Sequence, residues 1–458
     1  MHLSRFRLNC ISPNDVRRIL FSFLHCALWL PLSPLAAETL TLPEAVAQAL
    51  ARHPSIEAAK AQTGVAVART AQARSGYLPK VNYAESFQSS NNPVFAFSTL
   101  LTQRRFSAAN FAIDALNHPG FVNNFQSSVS VDQVLYDFGG VRAGVNSAQL
   151  GEKLSAEQER FARLQLIAKV ARTYHTVTLA EQFVKAAQQA VQSAAADLAR
   201  AEAVRAAGLS TDADVLSIRV HLAAMREQQI QRQSGVEIAR AALNEALGQP
   251  LDTVVALATP LTAAAAAPAV SSAGERPELR QAALARELAE SQATGARSAL
   301  YPQLTGRAAW EANRGRFVNQ GGANWYFGVG VRWNLFNGFA DRARLEESAQ
   351  TVAKSKANER ETLAGVNLEL RQAQASLTAA RQRIEVATAT VAQAEESLRI
   401  TKNRYEAGLT TVTDLLRTET ALLDATTRRI AATYDHRLAA ISLELAAGTL
   451  SGDSNVLQ

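Results

Sequence analysis

Trp325-Tyr326-Phe327-Gly328-Val329-Gly330-Val331-Arg332-Trp333 alternates without a break. Trp325, Phe327, Val329, Val331 and Trp333 share one face, against Tyr326, Gly328, Gly330 and Arg332 on the other. Such alternation describes a strand that is apolar on one side only. Eight steps at about 3.3 Å part the two tryptophans by roughly 26 Å. That is close to the height of a lipid-facing barrel band with an aromatic at each interface. These five residues are therefore expected to face lipid. Trp310 belongs to the strand before, and Phe125 to Gln133 alternates in the same way. The expected strands are about 81–89, 125–135, 304–312 and 325–335. Four strands cannot close a barrel, and an open edge in lipid leaves backbone groups unpaired. Each chain must then lend its strands to a shared barrel.

Outward from the strands the chain repeats itself. Ala73-Arg74-Ser75 returns as Ala296-Arg297-Ser298, and Pro54 and Pro79 return as Pro277 and Pro302, all 223 positions on. Ala207-Gly208-Leu209-Ser210-Thr211 returns as Ala407-Gly408-Leu409-Thr410-Thr411, with Asp214 matched by Asp414, 200 positions on. The difference of 23 locates extra residues between Pro79 and Gly208. A loop from Ser89 to Asn124 facing a shorter one from Asn313 to Asn324 accounts for it. The apolar content of the longer loop (Val94, Phe95, Phe97, Leu100, Leu101, Phe106, Phe111) predicts a packed flap. The repeats span 38–249 and 276–448, joined by a linker over 250–275 and followed by a tail over 449–458.

Each repeat reads helix, strand, loop, strand, long helix, turn, helix. Leu370, Ala373, Leu377, Ala380, Ile384, Ala387, Val391, Ala394, Leu398, Thr401 and Tyr405 follow alternating three- and four-residue steps, a heptad stripe. Val170, Val177, Val184, Ala187, Val191, Ala194 and Leu198 echo it 200 positions earlier. From Val141 to Ala207 a continuous helix would run roughly 100 Å at 1.5 Å per residue. Shorter helices, 54–78 with 212–247 and 277–301 with 412–447, have the combined length to lie end to end beside each long one. Gly208 and Gly408 suit helix ends, and the Ser or Thr that follows suits the next N-cap, giving αα-hairpins at 207–214 and 407–414. Capping alone accounts for much of both motifs.

Arg5, Arg7, Arg17 and Arg18, an apolar run from Ile19 to Leu30, and the small pair Ala36-Ala37 read as a secretory signal over 1–37. Both cysteines, Cys10 and Cys26, lie inside it, so a mature chain carries no disulfide, thiolate metal site or cysteine nucleophile. Removing the signal leaves 43 basic and 40 acidic residues, a net charge of +3 that suits no nucleic acid. Beyond position 40 no run of about 18 apolar residues occurs, which excludes a helical membrane protein for the bulk of the chain. The histidines beyond the signal, His53, His118, His175, His221 and His436, form no pair at metal-ligand spacing. No phosphate loop precedes a helix and no nucleophile elbow appears. An enzyme, a cofactor and a metal centre are all unexpected. A conduit through the outer membrane and a periplasmic coiled-coil adaptor or scaffold both remain; the alternating strands favour the conduit.

Over nearly all of its mature length the chain resembles the TolC family of outer-membrane efflux factors. The matching features are Leu42-Pro43-Glu44-Ala45, the turns Tyr77-Leu78-Pro79 and Leu300-Tyr301-Pro302, Tyr136-Asp137-Phe138-Gly139-Gly140, and the two tips, Ala207 to Leu216 and Tyr405 to Leu416. The resemblance implies an α+β membrane protein: a homotrimer with a 12-stranded barrel in outer-membrane lipid, continued by a periplasmic helical tunnel. It also implies a periplasmic adaptor docking on Gly208, Leu209, Ser210, Thr211, Gly408, Leu409, Thr410 and Thr411, with an inner-membrane efflux pump or exporter behind it. Asp214 and Tyr405 match a family link that holds the mouth shut. Asp414 matches the first of two aspartates at the family prototype's constriction, and Arg417 stands where the second would be. The exported substrate is not legible; Met225 is the only methionine after the signal, so no methionine-rich tract points to metal export.

Overall fold

The computed structural model describes residues 39–208, 210–263, 275–318 and 321–457. The signal expected over 1–37, Leu209 and part of the linker lie outside the described residues. In chain order the elements are β1 (Thr39–Leu40), α1 (Leu42–Arg52), α2 (Pro54–Arg74), β2 (Lys80–Ser90), α3 (Pro93–Thr102), α4 (Ile113–Asn117), β3 (Val122–Tyr136) and α5 (Gly140–Ala206). They continue with α6 (Asp212–Leu247), β4 (Ala256–Leu257), α7 (Pro277–Ser298), β5 (Gln303–Arg314), β6 (Gly322–Arg332), α8 (Ala340–Glu406) and α9 (Val412–Ala447).

The duplication is carried into three dimensions with matched lengths. Helices α5 and α8 each have 67 residues, and α6 and α9 each have 36. Along α5 lie α2 and α6, and along α8 lie α7 and α9, so two shorter helices flank each long one; α7 also touches α5 and joins the halves. Small residues make this approach possible: Ala171, Ala187, Ala194 and Ala201 on α5 are buried, as are Ala373 and Ala380 on α8. Gly248 and Gly448 end α6 and α9 at φ +70° and +75°, a left-handed cap that costs glycine little.

The largest apolar cluster sits mid-length, where α1 (Leu42, Val46) and α5 (Val170, Tyr174, Val177) meet α6 (Leu243, Leu247), α9 (Ala440, Ile441) and the tail (Leu450, Leu457). Thr41 and Glu44 form a reciprocal capping box at the start of α1, the bond pattern their spacing predicts. β1 pairs in parallel with β4 just after α6, closing this belt. Buried Arg437 fastens it further, donating through Nε to the Thr262 carbonyl at 2.8 Å and through Nη1 to that of Val456 at 3.1 Å.

β2, β3, β5 and β6 form one antiparallel sheet in the order β2-β3-β5-β6. Pro79 and Pro302 stand immediately before β2 and β5, where each chain leaves a helical turn. At the other corner Asp137 accepts from the Gly139 and Val141 amides, at 3.2 and 2.5 Å, and Gly139 adopts φ +90° to enter α5. The strands exceed or undercut their expected limits by one to three residues. The one consequential difference is that β6 ends at Arg332. Trp333 therefore stands just past the strand, its indole donating to the Leu300 carbonyl at 3.0 Å.

Candidate functional site: strand faces and helical tips

The register sorts the sheet into two chemically distinct faces, because directly paired residues share a side. Rows Val81–Val131–Ala308–Phe327 and Tyr83–Val129–Trp310–Trp325 cross all four strands on one face, with Val329 and Val331 continuing it along β6. The opposite face carries Lys80–Asp132–Arg307–Gly328 and Asn82–Ser130–Ala309–Tyr326, with Gln126, Glu311 and Asn313 beyond. Trp325 (85% exposed), Phe327 (78%) and Val331 (70%) stand largely uncovered in the single chain. Large apolar groups exposed in a continuous band signal a surface made for something other than water. β2 and β6, the two edges, each have one strand partner among the described residues. Among those residues no helix is long and apolar enough to cross a membrane.

At the far end of the helices the two hairpin tips are near copies. Thr211 caps α6 and Thr411 caps α9, each in a reciprocal box with the aspartate three residues on. Asp214 accepts from Thr211 Oγ1 at 2.8 Å and Ser210 Oγ at 3.2 Å, while Asp414 accepts from Thr411 Oγ1 at 2.7 Å and Thr410 Oγ1 at 3.0 Å. The threonine hydroxyls above all hold both carboxyls below the usual carboxylate range. Thr410 is therefore a capping donor, a role visible in its pairing with Ser210. Gly208 and Gly408 take φ +76° and +68° to turn each tip, and Leu409 is 68% exposed beside the second.

The four expected gate residues are only partly brought together. Arg417 is exposed near enough to Asp414 for its charge to help hold that carboxyl ionised. Tyr405 packs with Leu198, Ala201, Val215, Ile218, Val412 and Leu416, in the seam between the two hairpins. Burial first, and the neighbouring charges of Asp214 and Asp197 second, push its phenol above the ordinary value. No hydrogen bond joins Tyr405 to Asp214 in this conformation. The carboxylate serves its own helix cap, so the seam contact is what Tyr405 makes.

The polar link between the hairpins lies further up, on residues to which the sequence alone assigned no role. Asp197 of α5 is 3% exposed and accepts from Lys402 Nζ of α8 at 3.0 Å. Glu419 of α9 accepts from Ser193 Oγ of α5 at 2.9 Å, and His221 Nε2 of α6 stands 3.3 Å from its other oxygen. Helices α5, α6, α8 and α9 thus meet at one polar junction. Asp197 Oδ2 is buried with no donor facing it, and Glu419 Oε2 is buried with only the His221 contact. A proton held on Asp197 would let it donate to Glu419, since two such groups cannot both ionise cheaply at close range. Burial first and Glu419 second push the Asp197 carboxyl up to about 6, against Lys402. For Glu419, burial is outweighed by hydrogen bonds from His221, Asp197 and Ser193, and its carboxyl stays below the usual range. A trace was present in the sequence: buried Ala194, Asp197 and Ala201 follow three- and four-residue steps, so an aspartate interrupts an alanine stripe.

This arrangement has a pH consequence. A carboxyl whose value is raised in the folded state stabilises that state below its ordinary value, and the contribution is lost as pH rises through about 6. Between pH 5.5 and 7.5 the paired hairpins should therefore loosen by roughly fourfold in their opening equilibrium. Hydrogen exchange at 193–225 and 395–421, corrected for intrinsic rates, would register it. Asp197→Asn, which can accept from Lys402 and donate to Glu419, should remain slow-exchanging at both values. An equal pH response in that variant would remove Asp197 as its source.

Comparison with known proteins agrees with this architecture. A family described as outer membrane efflux protein matches residues 45–249 and 270–449, one segment per repeat. Protein CyaE of Bordetella pertussis is 25% identical over 423 residues, covering 90% of this chain and 85% of that protein. The outer membrane protein VceC of Vibrio cholerae superimposes with a TM-score of 0.75 at 22% identity, over 89% of this chain and 94% of its own. The open state of the MtrE outer membrane channel of Neisseria gonorrhoeae gives 0.74 at 18% identity, over 90% and 91%. Channels of this kind are trimers working in tripartite systems. With both repeats matched and the fold shared over 89–90% of its length, the chain belongs to the outer membrane efflux protein family, the TolC-like channels, and is the outer-membrane channel of a tripartite efflux or secretion system.

Proposed function

We propose that three copies of the mature chain, exported by the 1–37 signal, join their four-stranded sheets into one 12-stranded barrel. The helices would continue it as a passive tunnel, closed at the periplasmic tips until a partner engages them. The observation that carries this reading is the two-faced sheet with both edges open: apolar rows on one side, polar rows on the other, and among the described residues no second strand partner for β2 or β6. Threefold closure pairs β6 of one copy with β2 of the next and leaves no edge in lipid. The tip residues Gly208, Leu209, Ser210, Thr211, Gly408, Leu409, Thr410 and Thr411 would receive a periplasmic adaptor, itself coupled to an inner-membrane pump that selects the cargo. Fractionation with cross-linking in detergent tests the assembly: trimers in the outer-membrane fraction support it, and a monomer in periplasmic extract would overturn it.

At the mouth, threefold symmetry would set three copies each of Asp414 and Arg417 near the axis, one helical turn apart. Alternating rings of opposite sign cancel much of the field that an all-acidic ring would focus on cations. Weak cation selectivity is expected, with a marked gain in Arg417→Asp, read as the reversal potential across a planar bilayer under a salt gradient. An unchanged reversal potential would take Arg417 off the pore axis. Asp214, capping the neighbouring hairpin, and Tyr405, in the seam between the two hairpins, would act one step outward.

A further inference from the structure

The 91–121 segment has no counterpart in the second repeat, where only 315–321 joins the strands. It is folded: Asn92 Oδ1 caps α3 by accepting from the Val94 and Phe95 amides at 3.0 and 3.2 Å, and Phe106 packs edge-on against Phe97 and Phe111. Its attachment to the sheet is on the polar side. Gln103, 2% exposed, donates through Nε2 to the Asn123 carbonyl at 2.8 Å and to Asn124 Oδ1 at 2.9 Å. Asn124 in turn donates to Asn313 Oδ1 at 2.8 Å, within the polar face. Gly322 lies on that same face, and a Cβ there would collide with the Thr102 carbonyl, so only glycine lets α3 close in. α3 begins three residues after β2 ends and finishes against the start of β6, with Arg104 donating to the Ala323 carbonyl at 3.3 Å. It is a crossbar between the two edges of the sheet, at the end remote from the helical tips.

We propose that three such crossbars form an iris across the outer mouth of the pore, sealed by the same segment of the two other copies. The inference rests on the trimeric barrel proposed above. Twelve strands about 4.8 Å apart and tilted about 40° enclose a circle of roughly 12 Å radius. A straight bar joining the ends of a one-third arc passes about 6 Å from the axis, and a helix with side chains has a radius of about 5–6 Å. Three bars therefore leave almost no aperture. The side-chain pattern agrees in direction. Ala96, Thr99 and Gln103, spaced three and four apart, are buried toward the sheet, while Val94 and Leu101 point the opposite way at 77% and 48% exposure. Three copies would bring these apolar groups together around the axis, a constriction that resists wetting.

Because the mature sequence has no cysteine, single cysteines report on this directly. In outer membranes treated with an oxidant, Leu101→Cys should give disulfide-linked dimers, whereas Val331→Cys on the lipid face should not. In a second pair, Asn82→Cys on the inner face is exposed to a membrane-impermeant maleimide too large for porins, added outside the cell. It should react about tenfold faster when residues 93–120 are replaced by a short Gly-Ser linker, since only an apolar constriction bars the way. The trimer itself is checked on native gels in every case. Intact trimers in which Leu101→Cys stays unlinked, or in which labelling of Asn82→Cys ignores the deletion, would overturn the iris. Loss of the trimer in the unsubstituted protein would instead overturn the barrel on which it rests.

Discussion

Val329→Arg is expected to leave little assembled channel in the outer membrane. Val329 lies four residues from each of Trp325 and Trp333, mid-way along the apolar row, and it is 55% exposed in the single chain. An arginine on a lipid-facing strand costs about 2–4 kcal/mol at the bilayer midplane. Three copies in one barrel raise that to roughly 6–12 kcal/mol per trimer, comparable to the whole stability of an ordinary domain. Gly330→Arg supplies the control. Gly330 faces the polar side, and a Cβ there meets only Thr305 Oγ1 at 3.9 Å, so the added charge can extend into water. Trimer recovered from outer membranes should be depleted in the first variant and near normal in the second. The reverse order would mean that the two faces have been exchanged.

The second large effect lies in the mid-length belt. Tyr174 is fully buried, its hydroxyl donating to the Leu40 carbonyl at 2.8 Å and accepting from the Thr259 amide at 2.9 Å. One phenol thus ties the strand that precedes α1 and the inter-repeat linker to the middle of α5. Tyr174→Ala removes the ring and leaves a cavity, costing about 3–5 kcal/mol. Tyr174→Phe keeps the packing but leaves the Thr259 amide and the Leu40 carbonyl without their partner, at about 1–3 kcal/mol. Melting of detergent-solubilised protein should fall in that order, wild type above Phe above Ala. A Phe variant as labile as Ala would mean the hydrogen bonds, not the ring, hold the belt together.

Helix and strand placement was legible in the sequence because it rests on periodicity and on punctuation by Pro79, Pro302, Gly208 and Gly408, all local signals. The division of β6 into two faces was legible for the same reason, since alternation along one strand already separates Val329 from Gly330. What escaped was pairing at a distance. Tyr405 and Asp214 stand on different hairpins, and nothing in either neighbourhood announces that Asp214 is already engaged by Ser210 and Thr211. The junction of Asp197, His221, Lys402 and Glu419 escaped because its members lie on four helices. Each looks like an ordinary surface charge until the helices are laid side by side. The end of β6 was misjudged by alternation itself. Trp333 continues the apolar rhythm, but its indole is anchored to Leu300 outside the ladder.

The equality of the paired helices, 67 with 67 and 36 with 36, restricts how such a chain can change length over evolutionary time. One residue inserted into α5 alone would turn everything below it by about 100° and lengthen it by about 1.5 Å. Its stripe would leave the seam, and the two tips would no longer end in one plane. Seven residues would restore the stripe, yet would still displace one tip by about 10 Å unless α6, α8 and α9 gained a heptad at the same time. Growth along the tunnel is therefore quantised and requires four concerted events. The strand-connecting loops at the opposite end face no such restriction, and it is there that the two halves of this chain have come to differ, 91–121 against 315–321. In this chain the two halves part company at the outer mouth, while their periplasmic reach keeps one gauge.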